Sequence, residues 1–286
     1  MKLLTLIERC SARLQEAGVS FGHGTTNAFD EAVWLALWRL GLPLDDLQGV
    51  ASLQLSAEQR AAIEALVEQR IATRKPAAYL TGEAWLQGLP FHVDERVIVP
   101  RSLIAEVLAD GLIDTWLLRP PTRVLDLCTG NGSLAVLAAL AWPQAQVDAA
   151  DLSVDALAVA QRNVERHQLS DRIRLRQGDG LGAAEGRYDL ILCNPPYVNQ
   201  DSMQRLPPEY RAEPALALAG GADGMDFVRP LLAAVVGHLQ AQGLIALEIG
   251  HERAHFEAAF PRLQPAWLET SAGEDQVLLL RAEQLA

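Results

Sequence analysis

The chain has no apolar stretch of the roughly 20 residues that a membrane-spanning helix needs. Its beginning lacks a signal-peptide core as well, since Met1-Lys2-Leu3-Leu4 runs straight into Glu8-Arg9-Cys10. The expected location is the cytoplasm, with no membrane partner. Cysteine is scarce: Cys10, Cys128 and Cys193 are odd in number and have no metal-ligand spacing, so reduced and mostly buried thiols are expected rather than disulfides. Positive charge is short too. Twenty-four Lys and Arg stand against 36 Asp and Glu, for a net charge of −12, whereas a protein that grips nucleic acid directly needs a basic footprint. Direct nucleic-acid binding is therefore not expected, and a basic protein partner suits the charge better. Internal repeats and low-complexity tracts are also absent. What is present is a chain of 286 residues, half of them apolar, which suffices for two domains with sizeable cores.

Residues 1–83 alternate helical periodicity with turns and contain no strand run. Asn27-x-x-Asp30 starts a helix whose apolar stripe passes through Val33, Leu37 and Leu40 and which Gly41 and Pro43 stop. Ser56-Ala57-Glu58-Gln59 is a capping box, followed by Ile63, Leu66, Val67 and Ile71 at helical spacing up to Pro76. Residues 84–99, with Gly88-Leu89-Pro90 between apolar runs, read as a hairpin linker. From 100 to 286 helices alternate with strands, which specifies an open parallel sheet covered by helices on both faces. Gly243 to Gly250 is one further strand, and the runs around Trp267-Leu268 and Gln276 to Leu280 supply two more near the end.

Asn194-Pro195-Pro196-Tyr197 follows directly on the apolar run Tyr188 to Cys193. The Asn194 carboxamide oxygen and the Pro195 carbonyl can each accept one hydrogen of a planar NH2 group. Two prolines hold those acceptors in fixed directions, and the Tyr197 ring offers a flat wall. This is the pattern of a methyl acceptor site. The alternative is a Pro-Pro stop after a buried strand.

A donor site is expected upstream. Arg123-Val124-Leu125-Asp126-Leu127-Cys128-Thr129-Gly130-Asn131-Gly132-Ser133 is a short apolar run that ends in an acid and a glycine turn before a helix of small residues. Gly130-x-Gly132-x-x-Ala135, with Asp151 about 20 residues on, also fits a dinucleotide fingerprint. A carboxylate at the strand tip would oppose a pyrophosphate, yet it suits the cationic amino-acid end of S-adenosylmethionine. Asp151 is then placed for the ribose hydroxyls, and Gly178-Asp179-Gly180 for the adenine.

These residues resemble the class I S-adenosylmethionine-dependent methyltransferases, and within them the enzymes that methylate the side-chain amide nitrogen (N5) of protein glutamine. The resemblance extends to Arg74-Lys75-Pro76-Ala77-Ala78-Tyr79-Leu80-Thr81-Gly82, Phe91-x-Val93 and Val99-Pro100-Arg101, and covers nearly the whole chain. The branch acting on peptide chain release factors usually continues as Pro-Arg-Pro-Glu-Thr-Glu. Here Pro100-Arg101-Ser102-Leu103-Ile104-Ala105-Glu106 stands instead. Together with Phe21-Gly22-His23-Gly24-Thr25-Thr26-Asn27 and Asp30-Glu31-Ala32-Val33, this is similar to the branch that methylates the third protein of the large ribosomal subunit. The resemblance implies a Rossmann-like sheet preceded by a helical substrate-recognition domain and the hairpin linker. It implies S-adenosylmethionine as donor and S-adenosylhomocysteine as product. The implied donor-binding residues are Asp126, Cys128, Thr129, Gly130, Asn131, Gly132, Asp151, Asp179, Gly180 and Asn194. The implied catalytic residues are Asn194, Pro195 and Tyr197, with a basic ribosomal protein as partner.

Other readings start from the same residues. Release-factor glutamine methylation uses the same chemistry, as does methylation of adenine amino groups, although the latter would want a basic surface. His251-Glu252-Arg253-Ala254-His255 matches the zinc protease pattern, with both imidazoles on one helical face. Because Pro261 ends that helix within about two turns, these are expected to be surface histidines with no metal. A non-catalytic module that merely holds the donor is a further alternative. His23, between two glycines, is open to structural, exposed or substrate-contacting roles. The stretch from Val198 to Asp226 is longer than an ordinary connection, and such loops commonly frame a site.

Overall fold

The computed structural model describes residues 1–285, which form two compact units. One comprises Met1–Ala84 together with Leu206–Ala212; the other comprises Trp85–Arg205 and the chain from Glu213 onward. The helical unit therefore takes in a piece of the long loop as well as the first 84 residues.

In the first unit the helices are α1 (Leu3–Glu16), α2 (Ala28–Leu40), α3 (Leu47–Val50), α4 (Ala57–Thr73) and α5 (Ala77–Thr81). Their ends are where local chemistry dictates. Asn27 Oδ1 accepts from Asp30 N at 2.9 Å to open α2, and Gly41, in the left-handed region at φ 67°, closes it. Ser56 Oγ accepts from Gln59 N at 3.1 Å while Gln59 Oε1 accepts from Ser56 N at 3.0 Å, the reciprocal pair of a capping box. Leu3, Leu6, Ile7 and Leu14 of α1 pack in the core with Leu35 and Leu37 of α2 and Ile63 and Val67 of α4. The stripe on α4 departs from expectation at one point: Ile71 is half-buried, and the fully buried neighbour is Arg70. Its guanidinium donates to Glu31 Oε1 at 2.8 Å and to the Ser20 carbonyl at 2.9 Å, and it meets Glu209 Oε1 at 3.4 Å. An arginine can occupy a core position because its donors are all met there.

A hairpin follows, β1 (Glu83–Leu86) and β2 (Leu89–His92). Gln87 and Gly88 both have positive φ, 50° and 73°, as a two-residue turn matched to strand twist requires. Beyond it come α6 (Ile104–Ala109), β3 (Arg123–Leu127), α7 (Ser133–Ala141), β4 (Gln146–Asp151), α8 (Val154–Arg166), β5 (Ile173–Gln177) and β6 (Tyr188–Cys193). The chain continues through α9 (Gln200–Arg205), α10 (Val228–Ala234), β7 (Leu239–Glu248), α11 (Arg253–Ala259), β8 (Ala266–Thr270) and β9 (Gly273–Arg281). The sheet order is β5-β4-β3-β6-β7-β9-β8, with the first five strands parallel and β9 antiparallel to both its neighbours. This is the expected α/β architecture.

Alternation along the strands splits the core in two. Val124, Leu190, Leu192, Leu244 and Ala246 join one apolar cluster, while Leu125, Leu127, Ile191, Cys193, Ile245 and Leu247 join the other. Both faces are thus buried, as a sheet covered on each side by helices demands. Among the described residues no helix is long and apolar enough to cross a membrane.

Two substitutions in the helical unit rank its interactions. Ser56→Ala removes a cap on a solvent-facing helix end and should cost about 1 kcal/mol. Arg70→Met leaves Glu31 buried without its cation, while Glu209 keeps Arg74 at 2.8 Å, and should cost about 3–5 kcal/mol. Urea unfolding followed by circular dichroism measures both; equal losses would mean that the Arg70 cluster is not a structural centre.

Candidate active site

Where the strand order reverses between β3 and β6, the carboxyl ends of the parallel strands open into one cavity of about 240 Å³. The turn after β3 contributes Leu127, Cys128 and Gly130; β4 contributes Asp151, Leu152 and Ser153; the turn after β5 contributes Gly178, Asp179 and Gly180. Asn194 and Pro196 stand at the end of β6. Arg96, Val97, Ile98, Pro214, Leu216 and Phe227 are among the residues that close the sides.

The turn after β3 is built by hydrogen bonds from its own acids. Asp126 is fully buried; its Oδ2 accepts from Thr129 Oγ1 at 2.5 Å and from Ala135 N at 3.1 Å, so it caps α7 from the neighbouring strand. Burial raises the Asp126 carboxyl to about 7, and its Oδ1 has no hydrogen-bond partner among the described residues. Cys128 has φ 58° and Gly130 φ 55°. A Cβ on Gly132 would lie 3.1 Å from the Ala160 Cβ, so the absence of a side chain there lets α8 come close. Asn163 of α8 locks the same turn to the hairpin: its Nδ2 donates to the Asn131 and His92 carbonyls at 2.8 and 2.9 Å, while its Oδ1 accepts from His92 N at 2.6 Å. Asp151 accepts from Gly130 N and Ser153 N, both at 2.9 Å, and burial raises its carboxyl above the ordinary range.

On the far side of the switch, Asn194 is half-buried in the cavity wall and Pro195 is buried behind it. Tyr197 does not line the cavity. A Cβ on Gly250 would come within 2.5 Å of its ring, and one on Gly220 within 2.7 Å of its backbone. Its hydroxyl meets Glu248 Oε1 at 3.3 Å. Glu248, buried at the end of β7, also accepts from Ser102 Oγ at 2.5 Å and Leu103 N at 2.9 Å, capping α6; burial raises its carboxyl.

The long loop joins the wall through Glu213. Both its oxygens take the Arg101 guanidinium, at 2.6 and 2.7 Å, and Oε1 accepts from Val99 N at 2.8 Å. Pro214 and Leu216 are thereby held at the cavity side. Among the cofactor candidates, Cys128, Gly130, Asp151, Asp179, Gly180 and Asn194 line the cavity, whereas Asp126, Thr129, Asn131 and Gly132 build the turn beneath it. Sequence reasoning did not single out Glu213, Glu248 or Asn163. Their partners lie between 32 and 146 residues away, and only Arg101, inside the motif after the hairpin, offered any signal.

Neither the His-Glu-x-x-His motif nor His23 lines the cavity. His251 precedes α11 instead of lying on it, so the two imidazoles of His251-Glu252-x-x-His255 share no helical face. Glu252 is buried and engaged, accepting from Asn199 Nδ2 at 2.7 Å and pairing with His255 at 2.5 Å. His23 is buried within the helical unit, its ring centroid 4.2 Å from that of Tyr210.

Comparison with known proteins agrees with this architecture. The family model described as Methyltransferase small domain matches residues 105–207, and that described as PrmC N-terminal domain matches residues 5–82. The solved methyltransferase from Pyrococcus furiosus is 20% identical, with a TM-score of 0.51 over 77% of this chain and 97% of that one, and shares the fold. The ribosomal protein uL3 glutamine methyltransferase of Bordetella pertussis is 58% identical over 99% of this chain and 96% of its own length. That of Burkholderia pseudomallei is 50% identical over 98% and 94%. Identity at this level over both units, and not over the sheet alone, means that the chain belongs to the family of ribosomal protein uL3 glutamine methyltransferases.

Proposed function

We propose that the chain transfers a methyl group from S-adenosylmethionine to the side-chain amide nitrogen of a glutamine in ribosomal protein uL3, releasing S-adenosylhomocysteine. One observation carries the reading. Asn194 and Pro196 of the acceptor motif stand in the wall of the same cavity that the tips of β3, β4 and β5 line, so donor and acceptor groups share one space. The relatives named as uL3 glutamine methyltransferases support this substrate over release factors or adenine.

The residues present suit the donor. Asp151 is held by two backbone N–H groups and keeps lone pairs for ribose hydroxyls. Gly178 has no room for a side chain, since a Cβ would come 2.8 Å from Ala183, and it leaves the backbone beside Asp179 open to a ring. Asp126 presents one unpartnered buried oxygen beneath the glycine turn, as a counter-charge for an ammonium group requires. Bound there, S-adenosylmethionine supplies an electrophilic methyl on a sulfonium.

The rest is the work of Asn194 and Pro195. A glutamine amide nitrogen is a weak nucleophile because its lone pair is delocalised into the carbonyl. Two acceptors on its hydrogens orient the NH2 group and stabilise the positive charge that grows on nitrogen. Alignment alone is worth effective molarities of about 10⁵ M or more. Tyr197 acts as a positioning residue: tied to Glu248 and packed on Gly250, it fixes the backbone that carries the acceptors. The methylated nitrogen is acidic enough to release its proton to water, so no strong base is needed.

Acidity is concentrated in the catalytic part, for residues 85–286 hold 16 of the 24 basic and 26 of the 36 acidic side chains. That surplus attracts a lysine- and arginine-rich ribosomal protein. A protein that modifies uL3 works where uL3 is made, in the cytoplasm.

Asn194→Ala should lower methyl transfer to uL3 by orders of magnitude while donor affinity, read by calorimetry, stays within a few-fold; near-normal turnover would remove the acceptor role. The Asp126 carboxyl sits at about 7 when folded against an ordinary 3.8. The folded state thus holds this proton more tightly, and its contribution to stability is lost as pH rises from 3.8 to about 7. In donor-free protein Asp126→Asn should gain stability relative to the parent across that window and no further above it, while binding S-adenosylmethionine more weakly at pH 8. A constant difference in melting temperature at all pH values would remove the buried-acid assignment. Raising salt from about 0.05 to 0.5 M should raise KM for uL3 severalfold and leave that for S-adenosylmethionine nearly unchanged. Equal responses would show that the acidic surface plays no part in recognition.

A further inference from the structure

Two of the three cysteines lie on neighbouring strands beside the donor cavity, and the proposed methyl transfer uses neither thiol as a nucleophile or base. Cys193 ends β6, and its register partner in the parallel pair is Leu127 of β3. Cys128 is the next residue along that chain, so the two cysteines stand one position out of register across the β3–β6 ladder, where strand spacing brings their Cα atoms within the reach of a disulfide. Their surroundings differ. Cys193 is fully enclosed in the apolar cluster on one face of the sheet, and burial keeps its thiol protonated, well above the usual range. Cys128 is half-buried and opens onto the cavity. A small solute that enters the cavity therefore reaches Cys128 first, with Cys193 on the neighbouring strand enclosed behind it.

Cys128 is also held in an uncommon conformation. Its φ of 58° lies in the left-handed region that residues with a Cβ rarely occupy. The flanking bonds impose it: Thr129 N donates to the Ala150 carbonyl at 3.0 Å, and Gly130 N donates to Asp151 at 2.9 Å. Any change that draws the Cys128 sulfur toward β6 is thus passed to Gly130, and from there to Asp151.

We propose that Cys128 and Cys193 form an oxidisable dithiol site that takes hydroperoxides, and that its disulfide form no longer holds the methyl donor. The Cys128 thiolate attacks a peroxide oxygen, the O–O bond breaks, and Cys128 becomes a sulfenic acid as hydroxide leaves and is protonated to water. The Cys193 sulfur then attacks the sulfenic sulfur; the S–S bond forms, the S–O bond breaks, and the departing hydroxide takes the Cys193 proton as a second water. For hydrogen peroxide, two thiols and one oxidant give one disulfide and two waters. Bond formation draws the Cys128 sulfur toward β6 and moves the turn that carries Gly130. The disulfide stands independently of the proposed methyl transfer, while the loss of donor binding rests on it.

The test uses the full-length protein. Reduced enzyme is treated with stoichiometric hydrogen peroxide, remaining thiols are alkylated, and peptides are mapped by mass spectrometry. Binding of S-adenosylmethionine is measured by calorimetry before oxidation, after it, and after dithiothreitol. The expected result is a linked peptide joining Cys128 to Cys193, with Cys10 unlinked. Donor affinity should fall by at least about tenfold, a change of about 1.4 kcal/mol or more, and return on reduction. Cys193→Ala and Cys193→Ser, two variants so that a poorly folding one does not decide the matter, should bind the donor normally but give no linked peptide. In them Cys128 should stop at a sulfenic acid that dithiothreitol reverses, and only a further equivalent of peroxide should carry it to forms that dithiothreitol does not reverse. Absence of the linked peptide in the parent protein would overturn the proposal, as would a linked peptide with unchanged donor affinity. If the reduced enzyme bound no S-adenosylmethionine at all, the donor reading would fall, while the linked peptide would still decide the thiol site.

Discussion

The parallel pairing of β3 with both β4 and β6 is the constraint on which the site depends. Leu127 is level with Ala150 on one side and with Cys193 on the other, so the residues that follow each strand emerge at one edge and at one height. Chain connections leave β3 and β6 in opposite directions across the sheet, and no crossover covers the gap between them. The glycine turn, Asp151 and Asn194 meet there because the ladder hydrogen bonds place them within a residue of each other. A one-residue slip in either pair would exchange the two buried faces and scatter the tips.

Buried carboxylates then convert these loose ends into a rigid wall. Asp126 caps α7, Asp151 holds the glycine turn, Glu213 holds the long loop through Arg101, Glu248 caps α6, and Glu252 takes Asn199. In the helical unit Glu31 and Glu209 close on Arg70 in the same manner. These acids are desolvated, a cost offset by the backbone N–H groups, hydroxyls, side-chain amide and guanidinium groups directed at their paired oxygens. A strongly acidic composition thus has two meanings in one chain. Part of the acid is internal scaffolding, and the remainder is the surface charge that a basic partner meets.

The methyl acceptor motif was legible because its chemistry is local: four consecutive residues carry both acceptors and the prolines that aim them. The same holds for the glycine turn, Asp151 and Asp179, each adjacent to an apolar run that marks its strand. Other features were hidden by separation. Glu248 reaches residues 145 and 146 positions earlier, and Glu213 reaches Arg101 across 112. Nothing in the run Gly243 to Gly250 distinguishes a capping glutamate from a solvated one. Tyr197 illustrates the opposite error of locality. Its ring was expected to flank the bound group, but it packs against Gly250 and does not line the cavity.

By itself the sequence determined the element types, the helix caps at Asn27 and Ser56, the turn glycines, and the sheet class. These follow from short-range sterics, hydrogen bonds spanning three or four residues, and the two hydrophobic periods. The family branch was legible for a related reason, since it is carried by consecutive residues around His23 and Arg101. Tertiary structure alone decided which acids are buried, that Arg70 takes a core position in place of Ile71, that residues 206–212 pack with the helical unit, and that Cys128 and Cys193 come together on neighbouring strands. Whether a charged or polar side chain is enclosed depends on a partner brought by another part of the chain. That partner is specified by strand order and register, which no local window of residues contains.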